Sequence, residues 1–120
     1  FYPKDNTPTC INEACNIRDN YALLKKKGIV ILGVSIDTEK SHKKFEQKHQ
    51  LPFTLLADPD RKILESYGVW GLKKFMGREF MGIIRTTFII DKQGLVRHII
   101  EKVNTKTHNE DLAAYIKGNI

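Results

Sequence analysis

Ile29-Val30-Ile31-Leu32-Gly33-Val34-Ser35-Ile36 is the stretch whose reading decides the fold class. It is a continuous apolar run rich in β-branched residues, the composition of a strand buried on both faces. Upstream, Ala14, Ile17, Tyr21 and Leu24 recur at three- and four-residue spacing, the stripe of an amphipathic helix. Lysines 25 to 27 suit the last turn of that helix, which should run to about Lys27, and Gly28 stops it. A helix feeding such a strand predicts an α/β sandwich with parallel strands.

Downstream, Asp37 and Thr38 offer a cap for a mostly polar helix to about His49, with Phe45 as its core contact. Pro52 precedes a short strand, Phe53-Thr54-Leu55-Leu56-Ala57. Asp58 and Pro59 read as a cap-plus-proline start for a helix through Ile63, Leu64 and Tyr67, stopped at Gly68. Residues 69–82 carry three glycines with Trp70, Phe75, Phe80 and two methionines in no clean period, and read as a long, partly buried loop. Thr86-Thr87-Phe88-Ile89-Ile90 and Leu95-Val96-Arg97-His98-Ile99-Ile100 are strands joined by a hairpin through Asp91-Lys92-Gln93-Gly94. Thr107-His108-Asn109-Glu110 matches a capping box for a last helix with Leu112, Ala113, Tyr115, Ile116 and Ile120 inward. Residues 1–120 therefore read as one domain without repeats or linkers.

Composition narrows the functional classes. With 41% hydrophobic and 28% charged residues, the 120-residue chain is an ordinary globular one. Two cysteines are too few for a disulfide scaffold, and His42, His49, His98 and His108 have no metal-ligand spacing, so they read as surface or strand residues. Twenty Lys+Arg against fourteen Asp+Glu give +6, but the lysines are spread along the chain, so a solvated surface is expected rather than a nucleic-acid interface. No apolar run approaches a membrane span.

Both cysteines lie in the opening stretch, Phe1-Tyr2-Pro3-Lys4-Asp5-Asn6-Thr7-Pro8-Thr9-Cys10-Ile11-Asn12-Glu13-Ala14-Cys15. Phe1 and Tyr2 read as the end of a strand. Thr7 before Pro8 is a helix-start signal, which sets Cys10 in the first turn, where the helix dipole favours a thiolate. Cys15 follows five residues on. A free cysteine is more often a small buried hydrophobe than a nucleophile, so the pair alone leaves both readings open. Glu13 and Arg18 read as surface charges, with Glu13 near enough to the helix start to help organise a site.

Pro3, Thr7 and Cys10 in Phe1-Tyr2-Pro3-Lys4-Asp5 and beyond resemble the peroxiredoxin pattern Pro-x₃-Thr-x₂-Cys. Cys15 within Thr-Pro-x-Cys-x₂-Glu-Ala-Cys-x₂-Arg-Asp narrows the resemblance to the bacterioferritin comigratory protein, or peroxiredoxin Q, subfamily. Tyr67-Gly68-Val69-Trp70-Gly71 and Gly82-Ile83-Ile84-Arg85-Thr86-Thr87-Phe88-Ile89-Ile90-Asp91 match it further along, so the similarity spans essentially the whole chain. Two departures stand out. Thr9 replaces the more usual glycine and adds a side chain beside the peroxide pocket. The family domain also begins with strands ahead of Phe-Tyr-Pro, which this sequence does not show.

The resemblance implies a thioredoxin-like α/β fold, with a central mixed sheet flanked by helices, and a thiol peroxidase. Cys10 is then the peroxidatic cysteine and Cys15 the resolving one. Thr7, Thr9 and Arg85 bind the peroxide with Cys10, Pro3 shields the thiolate, and Arg85 reaches the site from the start of a strand. The product, Cys10 sulfenic acid, condenses with Cys15 to a disulfide that thioredoxin or a similar dithiol reopens. In an ideal helix, Cα atoms five residues apart are about 8.6 Å apart, beyond the roughly 7 Å limit for a disulfide. The first turns must therefore unwind on oxidation. No metal, cofactor, nucleic acid or membrane is implied; a monomer or weak homodimer and a cytoplasmic location are expected, with an organellar one left open. Two rivals stand beside this reading. One is a disulfide oxidoreductase of the same fold, disfavoured by the lack of Cys-x₂-Cys. The other is a non-catalytic basic binding protein with a redox switch.

Overall fold

Helix and strand boundaries follow local chemistry closely in the N-terminal half. A computed structural model of the chain describes residues 1–101, 103 and 108–119. Thr107 and Ile120 fall outside the described residues, as do the side chains of Phe75, Ala113 and Ile116, so the capping box and part of the expected inner face of the last helix are not addressed. The order is α1 (Pro8–Lys26), β1 (Leu32–Ser35), α2 (Glu39–His49), β2 (Thr54–Ala57), α3 (Lys62–Ser66), β3 (Trp70–Phe75), β4 (Arg78–Ile83), β5 (Thr87–Ile90), β6 (Val96–Ile100) and α4 (His108–Asn119).

Helix α1 starts at Pro8, where a missing N–H costs nothing, and ends over lysines in its last turn before Gly28 at φ 75°. Thr38 caps α2 by accepting from the Ser41 N–H, and Gln50 closes it in the left-handed region. Helix α3 is shorter than the proline signal predicts. Asp58 and Pro59 form a turn instead, with the Arg61 N–H donating to the Asp58 carbonyl. The Asp58 carboxylate then accepts from Leu64 N–H, capping the five-residue helix from outside it.

The strands form three two-stranded ladders: β1 with β2 parallel, β3 with β4 antiparallel, and β5 with β6 antiparallel. Residues 69–82 are thus a hairpin and not a loop. The register pairs Trp70 with Ile83 and Leu72 with Met81, and the turn holds Met76 and Gly77 both at positive φ. Methionine is an unusual first residue for such a turn, and glycines within both strands interrupt the alternation, which is why the period was unreadable.

Phe1 and Tyr2 bind on both sides, as a strand end would. Tyr2 N–H donates to the Val34 carbonyl at 3.1 Å, while Phe1 exchanges hydrogen bonds with Thr86. Their side chains point to opposite faces. Tyr2 joins a core with Cys10, Ala14, Ile17, Leu24, Phe45, Leu51 and Phe53; Phe1 packs on a second core of Val34, Leu64, Val69 and Ile83. The apolar run around β1 is less enclosed than expected. Val30 is 79% and Leu32 54% exposed, because the layer stands open between β1 and β5, with a cavity of about 790 Å³ between them. Helix α4 packs on α1, and its His108 and Leu112 are buried.

Candidate active site

The first turn of α1 presents Cys10 inward, and the side chain is 1% exposed. Its sulfur faces Arg85, which lies between β4 and β5: Nη2 donates to Cys10 Sγ at 3.1 Å and to Thr9 Oγ1 at 3.2 Å. The other arm of the fork, Nη1, donates to Glu13 Oε1 at 2.6 Å. Glu13 is buried and ion-paired, so it belongs to the site and not to the surface. The reason is helical geometry, since Cys10 and Glu13 are three residues apart and share one face of α1. Burial works against the Arg85 charge, but Glu13 and Cys10 beside it outweigh this and hold its pKa above the ordinary value. A guanidinium clamped in this way is a fixed positive charge aimed at sulfur. Across the site, Lys73 of β3 has its pKa lowered, first by burial and then by the Arg85 charge.

Thr7 holds the cap position of α1 without a capping bond from its side chain. Its hydroxyl donates to the Lys4 carbonyl at 3.0 Å. Pro3 is half-buried in the same loop, and Thr9 is exposed at the lip beside Arg85. Of the six residues expected at the site, Pro3, Thr7, Thr9 and Cys10 thus lie at the start of α1, and Arg85 comes to them across 75 residues of chain.

Cys15 is half-buried further along α1, and both cysteines are free thiols on one unbroken helix. Its sulfur lies 4.0 Å from Nδ1 of His49, the last residue of α2. Arg18 is likewise no idle surface charge: it pairs with Asp19, and its Nη1 donates to the His49 carbonyl at 2.8 Å.

A buried polar network supports the loop from behind. The Tyr2 hydroxyl donates to Asp5 Oδ1 at 2.6 Å, Ser41 Oγ donates to Asp5 Oδ2 at 2.8 Å, and His42 Nδ1 lies 2.8 Å from the same oxygen. Asp37 accepts from the Asp5 backbone N–H and from Ser35 Oγ. Burial and then the Asp5 hydrogen bond push the Tyr2 phenol pKa far up. Gly33 makes room here, since a Cβ would stand 3.3 Å from the Tyr2 ring and 2.7 Å from Leu55. Ligand atoms of Asp5, Asp37 and His42 lie within 4.8 Å of one another, yet each already serves in this network. His42 and His108 are buried and not surface residues. His42 sits at α2 spacing with Phe45, three residues on, a signal that would have placed it inward.

The chain and its fold are similar to known proteins. The AhpC/TSA family model matches residues 1–99. Peroxiredoxin Bcp of Bacillus subtilis is 49% identical over 108 residues, covering 90% of this chain and 69% of the relative. Peroxiredoxin Bcp of Escherichia coli is 42% identical over 117 residues, covering 98% and 75%. A structure of Xanthomonas campestris bacterioferritin comigratory protein, from work on its alkyl peroxide reduction, superposes with a TM-score of 0.91 at 34% identity, covering 98% of this chain and 75% of that one.

Proposed function

The chain belongs to the AhpC/TSA family, in its peroxiredoxin Bcp branch, and on that premise we propose how its residues divide the work of a thiol-dependent peroxidase. Cys10 is the peroxidatic cysteine. The observation that carries this is the Arg85 fork, fixed on buried Glu13 and set 3.1 Å from a sulfur that is almost wholly buried.

The Cys10 thiolate attacks one oxygen of a hydroperoxide. The O–O bond breaks, the departing oxygen leaves as an alcohol or water after taking a proton, and Cys10 becomes a sulfenic acid. Arg85 stabilises the anionic sulfur and then the charge moving onto the departing oxygen. Thr7 keeps its own hydrogen on the Lys4 carbonyl, which leaves its oxygen free to accept the O–H of the hydroperoxide. Pro3 covers the thiolate side of the loop, and Thr9 steadies the outer arm of Arg85.

Cys15 resolves the sulfenic acid. Both cysteines lie on an intact helix, so a disulfide between Cys10 and Cys15 requires the first turns of α1 to unwind. Hydrogen peroxide and organic hydroperoxides are the substrate class, a reading the alkyl peroxide work on the Xanthomonas relative supports. Thioredoxin or a similar dithiol is the reductant, and a reducing compartment such as the cytoplasm is where it would close the cycle. We take the protein to act as a monomer or weak homodimer. Among the described residues no helix is long and apolar enough to cross a membrane.

The test is a pair of variants followed by rapid mixing with hydrogen peroxide and mass analysis. Cys10→Ser should lose turnover, whereas Cys15→Ser should consume one equivalent and stop at the sulfenic acid. Equal turnover by the wild type and Cys10→Ser would end the proposal.

A further inference from the structure

We propose that His49 is the base that deprotonates Cys15 for its attack on oxidised Cys10, an inference that rests on the resolving role given to Cys15 above. The imidazole stands with Nδ1 4.0 Å from Cys15 Sγ. Its Nε2 is buried and has no hydrogen-bond partner among the described residues. A structural histidine is expected to satisfy both nitrogens. This one is aimed at a thiol with one nitrogen and left unpartnered at the other.

Three features suit it to the task. The Phe45 ring packs edge-on against the imidazole, with centroids 5.2 Å apart at 73°, which fixes the ring plane. His49 ends α2, so its position is set by the last turn of that helix. Arg18, three residues past Cys15, holds the His49 carbonyl at 2.8 Å, so this part of α1 is tied to the end of α2. Ala14 and Ile17, on either side of Cys15, are buried in the same core as Phe45. When the first turns of α1 unwind, the hydrogen bond from Arg18 to the His49 carbonyl keeps the turn carrying Cys15 beside its base while Cys10 moves to it. Arg18, paired with Asp19, is the charged group α1 sets against this helix end, and Lys48 precedes His49 on α2.

The step balances without an added reagent. With its proton on Nε2, His49 accepts the Cys15 thiol proton at Nδ1. The thiolate forms the S–S bond to Cys10 as the S–O bond of the sulfenic acid breaks. The oxygen leaves as hydroxide and becomes water with the proton from the imidazolium. Cys15 is oxidised to the disulfide, the sulfenic sulfur is reduced to it, and the oxidant was the hydroperoxide already consumed.

The experiment is rapid mixing of the reduced protein with one equivalent of hydrogen peroxide, acid quenching, and mass analysis that times sulfenic acid and disulfide separately. An ordinary cysteine is about 3% ionised at pH 7 and about three-quarters ionised at pH 9. In His49→Gln the ratio of disulfide-forming to sulfenic-forming rate should fall about ten- to thirtyfold at pH 7, and the deficit should shrink to about twofold or less at pH 9. His49→Phe, which keeps a ring against Phe45, should show the same pattern and guards against a folding defect. An unchanged ratio at pH 7, or a deficit equal at both pH values, would overturn the proposal while leaving the peroxidase reading intact. A wild type that forms sulfenic acid but never the disulfide would overturn both this proposal and the resolving role of Cys15. A wild type forming neither would overturn the peroxidase reading as well.

Discussion

Replacing Arg85 by methionine removes the guanidinium that reaches from between β4 and β5 to the reactive thiol. The substitution keeps much of the aliphatic stem but deletes three charge-assisted hydrogen bonds: 2.6 Å to Glu13, 3.1 Å to Cys10 and 3.2 Å to Thr9. The bond to sulfur is the one that strengthens as charge develops, and a hydrogen bond to a charged group contributes about 1.5–3 kcal/mol. The rate of Cys10 oxidation should therefore fall about 10- to 150-fold. A second effect must be kept apart from the first. Glu13 would be left as a buried carboxylate without its cation, which costs about 3–5 kcal/mol where such pairs are broken. The double variant Arg85→Met with Glu13→Gln removes that charge and should regain most of the lost stability, yet it should keep the full rate defect. Denaturant melts report the stability of each variant, and rapid-quench mass analysis reports the oxidation rate. If Arg85→Met is folded and oxidised within twofold of the wild-type rate, the guanidinium has no part in activating Cys10, and the reading of the site fails. If the double variant regains the rate together with the stability, the defect was one of folding alone.

Two further outcomes follow from the same structure. His108 is buried with its pKa lowered, chiefly by burial, so the unfolded chain binds its proton more readily than the folded one. Its contribution is complete above the ordinary histidine value of about 6.5 and declines as pH falls below it; His108→Gln should flatten the loss of stability between pH 7 and 5, and an unchanged slope in chemical denaturation would refute the reasoning. Met76, at φ 51° in the turn between β3 and β4, occupies a conformation costing a non-glycine residue about 1–2 kcal/mol. Asparagine tolerates it better, so Met76→Asn should raise stability by about 0.5–1 kcal/mol, and a thermal melt showing no gain would argue against that turn.

The amino-acid sequence by itself determined the elements whose signals are local. The helix from Pro8, the caps at Thr38 and Gly28, and the β5/β6 hairpin all rest on short-range chemistry, since a proline, a hydroxyl or a glycine acts on its own neighbours. Spacing placed Cys10 at the helix start, and family motifs at the right separations pointed to Pro3, Thr7 and Arg85. Tertiary structure decided what lies across long gaps. Nothing local shows that Glu13 is buried against an arginine 72 residues away, that Asp5 is the partner His42 meets, or that the end of α2 sets His49 beside Cys15. The hairpin of β3 and β4 was hidden for the same reason: its glycines broke the alternation, and only the pairing of one strand with the other fixes it. A helix start can mark a reactive thiol from sequence alone. Which cation meets that thiol depends on side chains that only the packed fold brings within hydrogen-bonding distance, where burial makes their charges count.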